Sequence, residues 1–263
     1  MSATTTASTP FGTALRRWRR SRGTSQLALA HRAQTTSRHL SFLETGRSRP
    51  SRAMVSRLCD ALELPLREAN DLFRAAGLSP AYPETLLSAQ DLAPFQGVID
   101  RMLAQHAPYP AYVVDRHWNI VRTNAVAEAF LPEHGDRNAI RLTYVGAWRQ
   151  LIANWEEIAG SGLRRLQSEA ARHPDDEEFA ELVSLAAAAC TELSATTPGG
   201  EVRMLCPHFR VGDRIVRTIS VVAQFGAARD VTLDELRLEL IWPADADAEE
   251  YFRTTAAVPS IGA

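Results

Sequence analysis

Ser25–Pro50, SQLALAHRAQTTSRHLSFLETGRSRP, reads as helix, tight turn, helix, and then a glycine stop followed by arginines. Ser25 is a residue type that caps helix starts, and Leu27, Ala30 and Ala33 recur behind it at helical spacing. Ala33-Gln34-Thr35 is too short for a loop, so a helix capped by Thr36 must cross the first steeply. In that second helix Leu40 and Leu43 face inward. Gly46 supplies a left-handed stop and Pro50 bars continuation. A helix held across another by a tight turn, and framed by Arg47, Arg49 and Arg52, has the geometry that enters a DNA major groove.

Outward from this pair the helical pattern continues. Phe11–Arg22 places Leu15 and Trp18 inward and Arg16, Arg17 and Arg20 outward, with Gly23 as its stop. Ser51 caps a fourth helix in which Met54, Val55, Leu58, Cys59 and Leu62 form one apolar face. A fifth, Leu66–Ala76, sets Ala69, Leu72, Phe73 and Ala76 on one side before Gly77. Residues 10–78 thus form an all-α domain of five helices with no room for a substrate pocket.

Charge separates this domain from the rest. The chain has 263 residues, which suggests two domains, and its 45% apolar content is enough to bury a core. No lysine occurs. Residues 1–80 carry 13 arginines against five acids, a net of +8, whereas residues 81–263 carry 16 against 26, a net of −10. A basic head on an acidic body implies that only the head meets a polyanion.

Other classes of function lose support. Cys59, Cys190 and Cys206 have no metal-type spacing, so no metal is expected. No hydrophobic signal segment or apolar run of about 18 residues is present, which predicts a cytoplasmic protein with no membrane partner. Cys206 and His208 sit too close along the chain for a nucleophilic pair. Asp175–Glu178 reads as a solvated helix start favoured by the dipole. With no phosphate-binding glycine loop, HExxH or CxxC, no catalytic residue is assigned and an enzyme is not expected.

Two prolines in Leu78–Pro83 mark a boundary, and residues 79–107 read as a linker with a connecting helix over Leu86–Ala107. The body, 108–255, opens with a strand Ala111–Asp115, a turn Arg116-His117, a second strand Trp118–Thr123, and a helix Ala125–Leu131 after Asn124. Its middle is helical: Trp148, Leu151, Ile152 and Trp155 share a face, and Phe179–Leu193 follows the acidic run. Strands are expected again at Val202–Pro207, Ile215–Phe225 and Leu236–Trp242, with Asp230 capping or orienting a turn between the last two. The fold class is α+β multidomain: a helical head and an α/β body with a mostly antiparallel sheet.

Over residues 11–77, Ser25-Gln26, Leu29-Ala30, Thr36, Leu40, Leu43-Glu44, Gly46 and Pro50-Ser51 resemble the lambda/434 repressor type of helix-turn-helix, the Xre family. The resemblance implies that Gln26 bonds a phosphate and that Thr36 caps the recognition helix. Ser37, Arg38, Ser41 and Phe42 would face base edges, Arg38 taking a guanine and Phe42 a thymine methyl. Arg47, Arg49 and Arg52 would bind phosphates, and Glu44 would pair with Arg19. In the body, PAYVVDRHWNIVRTN, NWEEIAGSGLRRLQSEAARHPDDEEF and FGAARDVTLDELRLELIWPAD resemble the ligand-binding domain of MmyB-type regulators. That implies a PAS-like sensor whose apolar cavity takes a fatty acid or another small hydrophobic molecule, and a homodimer.

Tyr112, Trp118, Phe130, Trp148, Ile152, Trp155 and Phe225 are the candidates to line such a cavity, with Asn124 and His208 as partners for a polar headgroup. An asparagine in the place of Asn124 more often caps the helix that follows it, and a histidine in that of His208 is more often a surface or turn residue. The expectation is a ligand-responsive, DNA-binding repressor acting on a double-stranded operator. The alternative is a body that is a dimerisation or protein-interaction module with no ligand.

Overall fold

The structure, a computed structural model, describes residues 9–173, 176–191, 193 and 205–255. Two compact units divide the chain. One comprises Met1–Leu87 with Gly226–Asp234, and the other Ser88–Phe225 with Glu235–Ala263.

The first unit holds α1 (Pro10–Ser21), α2 (Gln26–Arg32), α3 (Ser37–Glu44), α4 (Arg52–Leu62) and α5 (Leu66–Ala75). Four starts are fixed by side-chain oxygens that accept from the backbone one turn on: Thr9, Ser25, Thr36 and Ser51. Gln34, in the left-handed region at φ 50°, makes the α2–α3 turn, and Gly46 does so after α3 at φ 74°. The core is Phe11, Leu15, Trp18, Leu29, Leu40, Leu43, Val55, Leu58, Leu72 and Phe73, together with Cys59, whose thiol burial pushes up to about 12. Leu27 departs from its expected place and is 71% exposed. The buried stripe of α2 is centred on Leu29, Ala30 and Ala33, more than a quarter-turn away from it.

The segment 226–234 is built into this unit by backbone pairing. Val231 N donates to Pro83 O at 2.9 Å, and Thr85 N donates to the Asp230 carboxylate at 3.2 Å. Asp230 also accepts from Thr232 N at 2.9 Å, so it orients a turn as expected. It is followed by α12 (Val231–Glu235).

The second unit begins with a 3-10 turn, Gln90–Leu92, and α6 (Ala93–Gln105). The expected start at Leu86 is thus overturned. Pro94 fits a helix's first turn but would remove a hydrogen bond and clash inside a longer one. Then come β1 (Ala111–Val114), β2 (Ile120–Thr123), α7 (Ala125–Glu128), α8 (Ala139–Tyr144), α9 (Trp148–Leu151), α10 (Trp155–Ala170) and α11 (Glu177–Ala189). Asp176 caps α11 by accepting from Phe179 N, with Glu177 and Glu178 in its first turn. Trp118 lies in the β1–β2 turn at φ 66°, not in a strand.

β3 (His208–Val211), β4 (Arg214–Ala223), β5 (Arg237–Pro243) and α13 (Ala246–Thr255) complete the unit. Of the strand expected at Val202–Pro207, residues 202–204 lie outside the described residues. Residues 205–207 only lead into β3, which pairs with β4 from His208 opposite Arg217. The five strands run antiparallel in the order β2-β1-β5-β4-β3. Tyr112 stands opposite Glu239. Side chains two apart on a strand share a face, so Tyr112, Glu239 and Ile241 face the same way.

Candidate functional site

Two sites emerge, one in each unit. In the first, α3 is held at its rear and open at its front. Leu40 and Leu43 have no exposure, and Glu44, 1% exposed, closes the helix against α1. Its carboxylate accepts from Arg19 Nε at 2.6 Å, Arg19 Nη2 at 3.0 Å and Gln26 Nε2 at 2.8 Å, while Arg16 Nη2 donates to its backbone carbonyl at 2.9 Å. Burial pushes the Glu44 carboxyl up. The hydrogen bonds from Arg19 and Gln26, with the charges of Arg19 and Arg16, outweigh it and hold the group below its ordinary range. Gly12 completes the junction, because a Cβ there would stand 2.5 Å from the Glu44 carbonyl oxygen.

At the opposite end Thr36, Ser37 and Arg38 are exposed, as are Arg47 and Arg49 beyond the helix. The half-buried Phe42 ring lies between two guanidiniums, Arg38 at 5.4 Å and Arg47 at 6.0 Å, which gathers both arginines on one side of α3. Ser41 is half-buried, and its backbone carbonyl accepts from the Thr45 hydroxyl at 2.7 Å. Thr36 caps α3, accepting from His39 N at 3.1 Å.

Two of the expected phosphate ligands also bond within the fold. An amide N–H of Gln26 is taken by Glu44, because the carboxylate needs a donor on its α2 side. Arg52 donates to the carbonyls of Ser79 at 2.8 Å and Pro80 at 3.1 Å and stacks 4.9 Å over Phe73. It braces the end of the head.

In the second unit a cavity of about 100 Å³ lies against the sheet face that carries Tyr112 and Ile241. Its aromatic walls are Tyr112, Phe130, Trp148 and Phe209. Pro110, Ala127, Ile152, Ile158 and Pro207 fill between them, and Thr143 adds a hydroxyl. The rings meet in tilted pairs, Tyr112 with Trp148 and Phe130 with Phe209, both at 5.8 Å. Trp148 spends its Nε1–H on Phe130 O at 2.8 Å, so its polar edge is satisfied by protein.

Four of the nine candidates, Tyr112, Phe130, Trp148 and Ile152, come together here. The other five stand outside this wall, each for a visible reason. Trp118 is stacked between Arg165 at 4.9 Å and Arg237 at 5.0 Å. Asn124 caps α7 and bonds Ala111 N, Leu103 O and Tyr109 O, which uses up its amide. Trp155 donates to Thr143 O at 2.7 Å under Arg149. His208 alternates with Phe209 and so belongs to the opposite strand face, its buried Nδ1 without a partner among the described residues. Phe225 packs edge-on to Phe95 at 5.8 Å.

Phe209, Pro207, Thr143, Ile158 and Ile241 went unassigned from sequence. Alternation along His208–Val211 was the one available signal for Phe209. Beside the cavity, burial pushes the Glu239 carboxyl up, against the Ser220 hydrogen bond and the charges of Arg165 and Arg237. Burial, and then the neighbouring Glu239, push the Tyr112 phenol up as well, so it carries its proton.

Among the described residues no helix is long and apolar enough to cross a membrane. Comparison with curated proteins gave no significant match. Two family models do match: a helix-turn-helix domain over residues 10–72, and the MmyB-like transcription regulator ligand binding domain over residues 96–254. Neither family is one of enzymes, and together they suggest a ligand-responsive transcription regulator. The second match spans more than half of the sequence, and the chain belongs to the family of the MmyB-like transcription regulator ligand binding domain, here joined to a helix-turn-helix head.

Proposed function

We propose that the chain is a homodimeric repressor that binds a double-stranded operator through the front of α3 and responds to a small hydrophobic molecule, a fatty acid among them, held in a PAS-like body. The observation that carries the reading is the polarity of α3. Its rear is locked by the Glu44–Arg19 pair, while Thr36, Ser37 and Arg38 are exposed at its front, and Arg47 and Arg49 are exposed beyond its end. A rigid helix that presents a short polar tip and exposed guanidiniums suits base edges and phosphates together. In this reading Ser37, Arg38, Ser41 and Phe42 meet bases, and Arg47 and Arg49 meet phosphates.

Pairing of two chains has its own support. Ile215, Ile219, Val221 and Trp242 share the outer face of β4 and β5, and each is about two-fifths exposed. Ile219, Val221 and Trp242 adjoin there, with Arg217 between them and Ile215, and such an apolar patch suits burial against a second copy. Two heads then match half-sites about one helical turn apart. Ligand regulates only by binding the DNA-competent and incompetent arrangements with different affinity.

The test is selection of duplexes from a random pool at low ionic strength, followed by sedimentation of the free chain and of a Trp242→Glu variant. A defined sequence with two related halves, and a dimer that Trp242→Glu dissociates, are expected. A chain that ignores duplexes altogether sinks the reading.

A further inference from the structure

We infer that the front of α3 reads a guanine beside a base that carries a C5 methyl group, thymine or 5-methylcytosine, so that operator binding responds to cytosine methylation. The inference rests on the operator-binding reading and names the base step that α3 selects.

The chemistry available on α3 is narrow. At 3.6 residues per turn Ser37, Arg38, Ser41 and Phe42 share one face of the helix, and His39 falls outside it. Adenine is read by a bidentate Asn or Gln, and cytosine by an Asp or Glu that accepts from its N4 amine. Neither kind stands on this face. α3 contains no Asn, Gln or Asp, and its one Glu, Glu44, is buried and held by Arg19. What remains is two serines, one guanidinium and one aromatic ring.

The guanidinium is uncommitted. Arg38 is exposed and makes no hydrogen bond or ion pair among the described residues; its contact there is the Phe42 ring at 5.4 Å. Its parallel donors match O6 and N7 of guanine. Phe42 is half-buried and has no polar side-chain atom, so it brings only apolar contact to the groove, where the apolar group is the C5 methyl. Successive bases are about 3.4 Å apart along a strand, so a guanidinium and a ring this close meet neighbouring base pairs. Thymine and 5-methylcytosine carry the same methyl and differ at position 4, an oxygen against an amine. A serine hydroxyl serves either, as donor or acceptor.

A duplex is selected from a random pool with the full chain, and affinities are measured by fluorescence anisotropy at one salt concentration. Two matched pairs are compared at the pyrimidine beside the guanine whose preference Arg38→Ala abolishes. One is thymine against uracil, each opposite adenine; the other is 5-methylcytosine against cytosine, each opposite guanine. Within each pair the methylated base is expected to bind about fourfold more tightly, the worth of one buried methyl-sized group. Phe42→Ala removes both differences. Should that variant misfold, the two pairs measured on the wild type decide alone.

Equal affinity within either pair, a selected site without a guanine beside a thymine, or a difference that survives in folded Phe42→Ala overturns the inference and leaves operator binding intact. A chain that selects no duplex overturns both.

Discussion

The head and the body use similar apolar side chains to opposite ends. In the head Leu15, Leu29, Leu40, Leu43, Val55 and Leu58 are all at zero exposure, and the side chains proposed to act point outward from that closed core. In the body the rings of Tyr112, Phe130 and Phe209 remain half-buried because they border a space the chain does not fill. The lesson is that a surface site needs a frame that does not yield, whereas an interior site needs packing left unfinished. Aliphatic residues close the first kind of core, and large flat rings with fixed tilts leave gaps in the second.

The comparison can be broken at the frame itself, where the largest effect is expected. Glu44→Ala leaves Arg19 without its carboxylate, and loss of one partner of a buried pair costs about 3–5 kcal/mol; urea melting of the head reads it. The same carboxylate sets a pH dependence. Its folded value lies below the ordinary 4.5, so its stabilisation is fully present above that value and is lost as pH falls through the lower folded one. Acid melting of the wild type is expected to decline in that window, and that of Glu44→Ala to be flatter.

Matched truncations sharpen the contrast between closed and open packing. Leu40→Ala in the head removes a side chain with no exposure and is expected to cost about 2–5 kcal/mol. Ile158→Ala in the cavity wall forfeits fewer contacts, since part of its surface already faces empty space, and should cost clearly less in the same denaturant series. Equal losses at the two sites would mean that the cavity collapses in solution.

Smaller effects separate the arginines. Arg38→Ala is expected to cost about 1–3 kcal/mol of DNA affinity and to relax preference at one base pair. Arg47→Ala should weaken all sequences alike and reduce the salt slope by about one. Footprinting with single-base operator variants distinguishes the two. Smallest is Arg52→Ala, which loses the Ser79 and Pro80 carbonyls and the Phe73 stack. It should lower head stability by about 1 kcal/mol with DNA affinity unchanged.

The head was largely legible because its signals are local. Ser25, Thr36 and Ser51 cap the helices they precede, and Gly46 ends α3, since each effect reaches only a few residues along the chain. The misreadings were also local ones. Leu27 fits a spacing rule but not the stripe that the neighbouring helices bury, and Pro94 stands against a helix running through it from Leu86. In the body β3 was missed. His208 and Arg210 give HFRV a polar look, and only pairing with β4 makes it a strand.

By itself the sequence determined the caps, the turn between α2 and α3, the division of charge between head and body, and the residue types able to build a sensor. Periodicity and capping act within one turn of chain, so they survive without a fold. The tertiary structure decided which donors also bond within the fold, as with Gln26 to Glu44 and Arg52 to Ser79, and which aromatics meet. Tyr112, Trp148 and Phe209 converge, while Trp118 and Trp155 turn to arginines and carbonyls. That choice depends on strand register and helix placement between residues far apart in the chain, such as Tyr112 and Glu239, where a one-residue slip sends a side chain to the other face.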